Sequence, residues 1–102
     1  MALTITVHEQ DSSIEIILEG RLVGPWVAEL SKAWRETVPR LGSRTVSLNL
    51  RDLTYSNEDG KQVLREIVAQ TSAEILASNP LTKHLAQEIS NPKNKLNSSG
   101  GL

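Results

Sequence analysis

Two adjacent carboxylates, Glu58 and Asp59, are the side chains of this sequence best placed for recognition or chemistry. They follow Asn57, a residue type that caps helix N-termini, and they precede a segment with apolar residues at helical spacing. The exposed N–H groups at such a helix start favour negative charge by about 0.3 to 1 kcal/mol per residue. The pattern is typical of an ordinary helix end, and it also suits an acidic recognition surface.

Three hydroxyl residues, Thr54, Tyr55 and Ser56, precede these carboxylates. One of them is a candidate phosphorylation site, although Ser56 is more simply interpreted as a cap or turn residue that bonds backbone N–H groups. We interpret the turn and the helix start as a contact surface for a partner. This surface consists of Tyr55, Ser56, Asn57, Glu58, Asp59, Gly60 and Lys61.

The sequence lacks the common catalytic and cofactor-binding patterns. It has no Cys, no Gly-x-Ser-x-Gly or His-Glu-x-x-His run and no Gly-x-x-x-x-Gly-Lys loop. Acidic residues also occupy the helix start where a bound phosphate would lie. His8 and His84 are far apart in the sequence, which favours two surface residues over a metal pair. We therefore expect no catalytic residues, no cofactor, no metal site and no enzymatic activity.

Length and composition indicate one domain. The chain has 102 residues, of which 38% are hydrophobic, and it lacks Phe, so the core must consist mainly of Leu, Ile, Val and Ala. A net charge of -1 gives no overall attraction to nucleic acid or to anionic membranes. No stretch is long and apolar enough for a membrane span, and the N-terminus does not resemble a signal peptide. The expectation is a cytoplasmic protein with a domain over residues 1–90 and a disordered tail over residues 91–102.

Alternating apolar residues predict three strands with one buried face each. They lie at residues 3–8, 14–19 and 46–50, and the first two form a hairpin. Residues 51–57 then form a turn, and residues 71–77 are interpreted as a fourth strand, although a continued helix would also fit. Because the outer faces are polar, we expect helices to cover mainly one side of the sheet.

Three helices are predicted between and after these strands. The first begins at Pro25 and ends at Pro39 and Gly42. The second begins after Asn57, and the third is capped by Asn79. The expected buried stripes, listed by helix, are Val27, Leu30, Trp34 and Val38; Leu64, Ile67 and Val68; and Leu81, Leu85 and Ile89. Trp26 is expected to pack at the edge of the core, the alternative being an exposed anchor for a partner. Lys61, Arg65 and Glu66 are expected to face water.

The order of these elements resembles the STAS domain family, which includes bacterial anti-sigma factor antagonists. The family motif is a hydrophobic strand, a polar turn, Asp-Ser-x-Gly and an amphipathic helix, and residues 48–64 are similar to it. Asn57 stands at the Asp of the motif, Glu58 at its Ser, and Gly60 keeps its Gly. Residues 18–34 are similar to the family's strand, Gly-x-Leu loop and first long helix. The resemblance implies an α/β fold with a four-stranded mixed sheet.

The resemblance also implies a function in protein recognition. In STAS antagonists the motif Ser is phosphorylated by an anti-sigma kinase, and the phosphate blocks binding to that kinase. Glu58 cannot accept phosphate, and its single charge only partly mimics the roughly 1.5 to 2 charges of phosphoserine. Either the protein is fixed in a phospho-like state, or it binds partners without this switch. The implied partner is a kinase-type anti-sigma factor, and the alternative is the ATPase of a lipid-transporting ABC complex.

Overall fold

The computed structural model describes residues 3–90, so the predicted tail at residues 91–102 lies outside the described residues. Seven elements follow one another along the chain. They are β1 (Leu3–Glu9), β2 (Ser13–Leu22), α1 (Pro25–Leu41), β3 (Thr45–Ser56), α2 (Glu58–Thr71), β4 (Glu74–Leu76) and α3 (Pro80–Ser90). The strands form one sheet in the order β1-β2-β3-β4, in which β1 is antiparallel to β2 and the other two pairings are parallel. The predicted four-stranded mixed sheet is confirmed.

One face of the sheet carries the core. Apolar side chains alternate along β2 and the first half of β3, and those that point to this face are almost fully buried: Ile14, Ile16, Leu18, Val46, Leu48 and Leu50. Helix α1 packs against β2, whereas α2 and α3 pack against β3 and against each other. The opposite face carries mainly polar residues, such as Glu15 and Asn49, whose side chains share a hydrogen bond of 3.0 Å. The helices therefore cover one side of the sheet, as the alternation predicted.

Strand β3 continues beyond the predicted end at residue 50 to Ser56, and this second half contains two bulges that break the alternation. Its pairing with β2 slips by one residue between Ile17 and Glu19 and again between Gly20 and Arg21, and both times β3 has the additional residue. Such bulges interrupt strict alternation without ending a strand. The predicted turn at residues 51–57 was wrong for this reason.

The bulges change the spacing of buried side chains in β3. After Leu50 the next buried residues are Leu53 and Ser56, three positions apart instead of two. Ser56 is therefore the last residue of a strand and only 8% exposed, so its interpretation as a cap or turn residue was wrong. Residues 51–52 are polar and exposed, and this run of polar residues after Leu50 resembled a turn in the sequence.

Helix α1 passes through Pro39 and ends at Leu41, with Gly42 as its C-cap in a positive-φ conformation. The predicted end at Gly42 is confirmed, whereas Pro39 lies inside the last turn and does not itself end the helix. The buried stripe contains Thr37 in place of Val38, whose exposure is 41%. Thr37 is tolerated in the core because its hydroxyl donates to the carbonyl of Ala33 at 2.8 Å.

The edge of the core and the short fourth strand follow the predictions more closely. Trp26 is half-buried and packs against the core, which confirms edge packing. Strand β4 comprises only Glu74–Leu76, because α2 continues to Thr71. Its central residue, Ile75, pairs with Leu48 and packs against the core.

Helix α3 begins as predicted and buries Leu85 and Ile89 as predicted, but at its start it buries Thr82 instead of Leu81. Asn79 accepts a hydrogen bond from the backbone N–H of Thr82 at 2.9 Å, which confirms the cap. The buried residues are Thr82, Leu85 and Ile89, whereas Leu81 is 51% exposed. The Thr82 hydroxyl accepts hydrogen bonds from the backbone N–H groups of Ser78 and Asn79, and these contacts hold it in the core. The predicted burial of Leu81 was therefore wrong.

Candidate functional site

The end of β3 and the start of α2 form a tightly bonded turn. Ser56 pairs with Leu22 at the end of β2, and the next residue, Asn57, donates its backbone N–H to the carbonyl of Leu22 at 3.2 Å. The Asn57 side chain accepts from the backbone N–H of Gly60 at 2.8 Å, which confirms Asn57 as the N-cap of α2. The helix start is thus fixed to the sheet on one side and to its own cap on the other.

Gly60 lets α2 approach β2 and β3 closely. A Cβ atom at this position would lie 2.5 Å from the Ser56 Oγ, 2.8 Å from the Leu22 Cγ and 2.9 Å from the Leu22 Cδ2. Real Cβ atoms essentially never come so near, so a side chain here would force the side chains of Leu22 and Ser56, or the helix itself, to shift. The Gly of the motif is therefore required by packing at this crossing.

We expect Gly60→Ala to destabilise the protein by about 1 to 3 kcal/mol, because overpacking outweighs the better helix propensity of Ala. The measurement is the free energy of unfolding in urea. Ala69→Gly is the matched control, since Ala69 is an exposed position of the same helix, where Gly should cost up to about 1 kcal/mol. A more stable Gly60→Ala variant would show that the helix can move aside without cost.

The exposed part of the predicted contact surface is acidic and aromatic. The Glu58 side chain is 81% exposed, Asp59 is also exposed, and Tyr55 is 48% exposed. The Arg21 guanidinium lies 5.5 Å from the centre of the Tyr55 ring, a cation–π distance. Sequence analysis did not identify Arg21, because only the β2–β3 pairing brings it beside Tyr55.

Lys61 connects this surface to α3. Its Nζ lies 3.3 Å from the Glu58 Oε2 and 3.0 Å from the Glu88 Oε1, and its side chain is only 20% exposed. The other carboxylate oxygen of Glu88 lies 3.6 Å from the Nε2 of His84. The expectation that Lys61 faces water freely was wrong, because Glu88 comes from a helix that the sequence pattern could not orient.

The ion pair shifts the pKa of both partners in the expected directions. Hydrogen bonding to Glu88 raises the pKa of Lys61, and hydrogen bonding to Lys61 lowers the pKa of Glu88, while partial burial opposes both changes. The pair therefore stabilises the fold while both groups are charged. The Glu88 contribution is present above its ordinary value of 4.5 and is lost as the pH falls through the lowered folded-state value.

We expect Glu88→Gln to reduce the free energy of unfolding at pH 7 by no more than about 1 kcal/mol, as for other partly exposed ion pairs. The difference from the unchanged protein should disappear in acid well below pH 4.5, because the carboxylate is then neutral in both states. Urea unfolding at both pH values measures this. Glu66→Gln, at an exposed position of α2, is the control. An equal loss of unfolding free energy in this variant would show that the effect of Glu88→Gln does not come from the ion pair with Lys61.

A pocket of about 120 Å³ lies between the end of β3, the start of α2 and α3; we call it the α2–α3 pocket. Its apolar walls are formed by Leu53, Leu81 and Leu85 together with the ring of Tyr55. The polar lining includes Lys61, His84 and Glu88, the ionic cluster described above. The pocket is therefore continuous with the predicted contact surface through Tyr55 and Lys61. Its α3 residues were not identified from the sequence.

The three candidate phosphorylation sites differ in accessibility. The Ser56 hydroxyl belongs to a buried residue and donates to the carbonyl of Asn57 at 3.1 Å. The Thr54 hydroxyl is on an exposed residue but donates to the carbonyl of Gly20 at 2.9 Å. Tyr55 is half-exposed. Burial makes Ser56 the least accessible of the three.

Both histidines lie at the surface, His8 in β1 and His84 in α3, which confirms that interpretation. Within residues 3–90, no group of three or more His, Cys, Asp or Glu residues could hold a metal ion. None of the helices in this part of the chain is long and apolar enough to cross a membrane.

The sequence matches no family model and no curated protein. Among solved structures, the fold is similar to that of the anti-sigma factor antagonist SpoIIAA in its unphosphorylated form, with a TM-score of 0.67 and 14% sequence identity over 83% of both chains. Two structures of Mglu are also similar. The first has a TM-score of 0.58 and 20% identity, and the second, in its native form, has a TM-score of 0.52 and 16% identity.

The similar region has a different extent in these proteins. The alignments cover 74% and 72% of this chain but only 19% and 22% of Mglu, so the fold there is a small part of a longer chain. SpoIIAA, in contrast, is matched over most of its length. At these identities the similarity shows the fold alone, and that fold is the α/β fold of STAS domains.

Proposed function

From a fold shared with the anti-sigma factor antagonist SpoIIAA, we propose that this protein is a non-enzymatic regulatory domain that binds a protein partner. The partner is a kinase-type anti-sigma factor of a bacterial cytoplasm, and the complex forms without phosphorylation at the start of α2. The contact surface is the segment of residues 55–61. The observation that supports it best is the exposed acidic start of α2 on a turn anchored to both parallel strands.

The geometry of this segment suits recognition. Its backbone is fixed by the Asn57 cap and by the contact with Leu22, so little conformational entropy is lost when a partner binds. Tyr55 supplies a large and rigid apolar area, while Glu58 and Asp59 supply exposed charges. Aromatic anchors beside accessible charges are typical of the residues that dominate protein interfaces.

The absence of a switch at position 58 follows from chemistry. Glu58 has no hydroxyl, so a kinase that forms serine phosphate esters has no acceptor at this position. Glu58 also has an internal contact, since its carboxylate lies 3.3 Å from the Lys61 Nζ. We propose that this negative charge is a permanent part of the contact surface.

The proposal is tested by affinity capture with the full chain, followed by mass spectrometry and calorimetry with the purified partner. A kinase-type anti-sigma factor captured by the unchanged protein would support it. The double substitution Glu58→Lys and Asp59→Lys should abolish capture of that partner. Glu29→Lys with Glu36→Lys, two exposed carboxylates on α1, is the matched control and should retain it.

Two results would contradict the proposal. Capture of an ABC transporter ATPase in place of an anti-sigma factor would support the alternative function, in which the domain docks on that ATPase. If the variant with Glu58→Lys and Asp59→Lys still captures an anti-sigma factor, the proposed partner is supported, but residues 55–61 are not the contact surface. Radioactive phosphate from ATP, incubated with the captured kinase, should not appear at position 58.

A further inference from the structure

We propose that the α2–α3 pocket receives one apolar side chain of the protein partner, and that this side chain is flanked in the partner by Lys or Arg. The inference rests on the proposed function and specifies the chemistry of the partner segment. Three properties of the pocket support it, namely its size, its lining and the charge of its surroundings.

The size of the pocket suits a single side chain. Its volume of about 120 Å³ approaches that of an engineered apolar cavity of about 150 Å³ that binds benzene. One aromatic ring or one branched aliphatic group therefore fills it. An apolar group that enters the pocket removes its mainly apolar lining from water, which favours binding.

The lining suits an apolar occupant. Leu53 and Leu85 are buried and form fixed walls, whereas Leu81 and Tyr55 are about half-exposed. Among residues 3–90, the exposed large apolar residues are these two and Val38. Two of the three thus line the same pocket, where a partner would remove both from water. Such a pocket, covered by a partner, is typical of the few sites that dominate binding energy.

The charge around the pocket defines the neighbours of this side chain. Glu58 and Glu88 both bind the Nζ of Lys61, a residue that lines the pocket, and Asp59 follows Glu58 on the exposed start of α2. Glu88 is paired with Lys61 and also lies within the influence of Arg65, whereas the carboxylate of Glu58 is 81% exposed and Asp59 is exposed, so the negative charge open to a partner lies at the start of α2. A cationic residue beside the apolar anchor complements this charge.

Capped dipeptides test the pocket without the partner. We expect N-acetyl-Phe-Arg amide, titrated into the ¹⁵N-labelled full chain, to cause saturable NMR shifts at the amides of Tyr55, Leu81 and Leu85. N-acetyl-Ala-Arg amide should bind at least about tenfold more weakly, because it lacks the group that fills the pocket. N-acetyl-Phe-Glu amide should also bind more weakly. Shifts that do not saturate, or equal affinity for the Phe and Ala probes, would overturn the proposal.

Substitutions at one exposed apolar residue inside the pocket and at one outside it make the test specific. Leu81→Ser removes one pocket wall without opening the core. We expect it to lower the affinity for both the Phe-Arg probe and the captured partner at least about tenfold. Val38→Ser, at an equally exposed position of α1 outside the pocket, should change neither affinity. Equal effects of the two substitutions would also overturn the proposal.

The outcomes separate this inference from the proposed function. If the double Lys variant of α2 loses the partner while Leu81→Ser retains it, the pocket is not the anchor site but the contact surface stands. If the Phe-Arg probe binds at the pocket and the double Lys variant retains the partner, the proposed contact surface is wrong while the pocket is still a binding site for an apolar group.

Discussion

Leu48→Ala is expected to lower the free energy of unfolding by about 2 to 5 kcal/mol. Leu48 is fully buried at the centre of β3, where it pairs with Ile16 on one side and with Ile75 on the other. Removing its side chain leaves a cavity beneath the helices that the neighbouring strands cannot close without losing their register. The expected loss is a large share of the roughly 5 to 15 kcal/mol that stabilises a domain.

Urea unfolding monitored by Trp fluorescence measures this effect. Leu81→Ala is the matched control, since the same atoms are removed from a side chain that is 51% exposed, and it should cost less than about 1 kcal/mol. Similar losses for the two variants would mean that the centre of β3 does not carry the core. The slope of the free energy against urea concentration should stay constant if both variants remain two-state.

Glu58→Ser is expected to weaken binding of the captured partner by about 10- to 100-fold. The estimate follows from the loss of one hydrogen bond to a charged group, worth about 1.5 to 3 kcal/mol, at about 1.4 kcal/mol for each factor of ten. Stability should change by no more than about 1 kcal/mol, because only an exposed charge near the helix dipole and its contact with Lys61 are removed.

Calorimetry of both forms against the purified partner decides between the two interpretations of Glu58. A loss of affinity supports Glu58 as a direct contact. A gain of affinity, together with new phosphate incorporation at position 58, would instead identify it as a fixed mimic of the phosphorylated state. Glu29→Ser on α1 is the control for removing an exposed carboxylate, and equal affinities of all three proteins would place Glu58 outside the interface.

The sequence predicted the features that depend on local periodicity. Alternation identified β1, β2 and the first half of β3, and the residue types at positions 57 and 79 identified both side-chain caps. These features depend on residues that are only a few positions apart in the chain, so their physical cause is visible in a short stretch of sequence. The same holds for the start of α2, and thus for the location of the candidate site.

The features that the sequence did not predict depend on distant contacts. Lys61 meets Glu88 only because α3 packs beside α2, and Arg21 meets Tyr55 only because β2 and β3 are parallel neighbours. Only the first buried position of α3 was misassigned, since Leu81 is more apolar than Thr82 but lacks the hydrogen bonds that hold Thr82 in place. Burial there follows from satisfied polar groups as well as from hydrophobicity.

The two extra residues of β3 have a consequence for how chain length can vary among related sequences. In strict register with β2, the strand would extend two residues further, or about 6 to 7 Å, before reaching Asn57. The bulges absorb this length and return Asn57 to Leu22. Loss of one residue at Leu50 or Arg51, which together stand opposite Leu18, would therefore remove the first bulge and leave the later pairings intact. If this strand were aligned without a gap to one that lacks one or both bulges, the motif would be displaced by one or two positions.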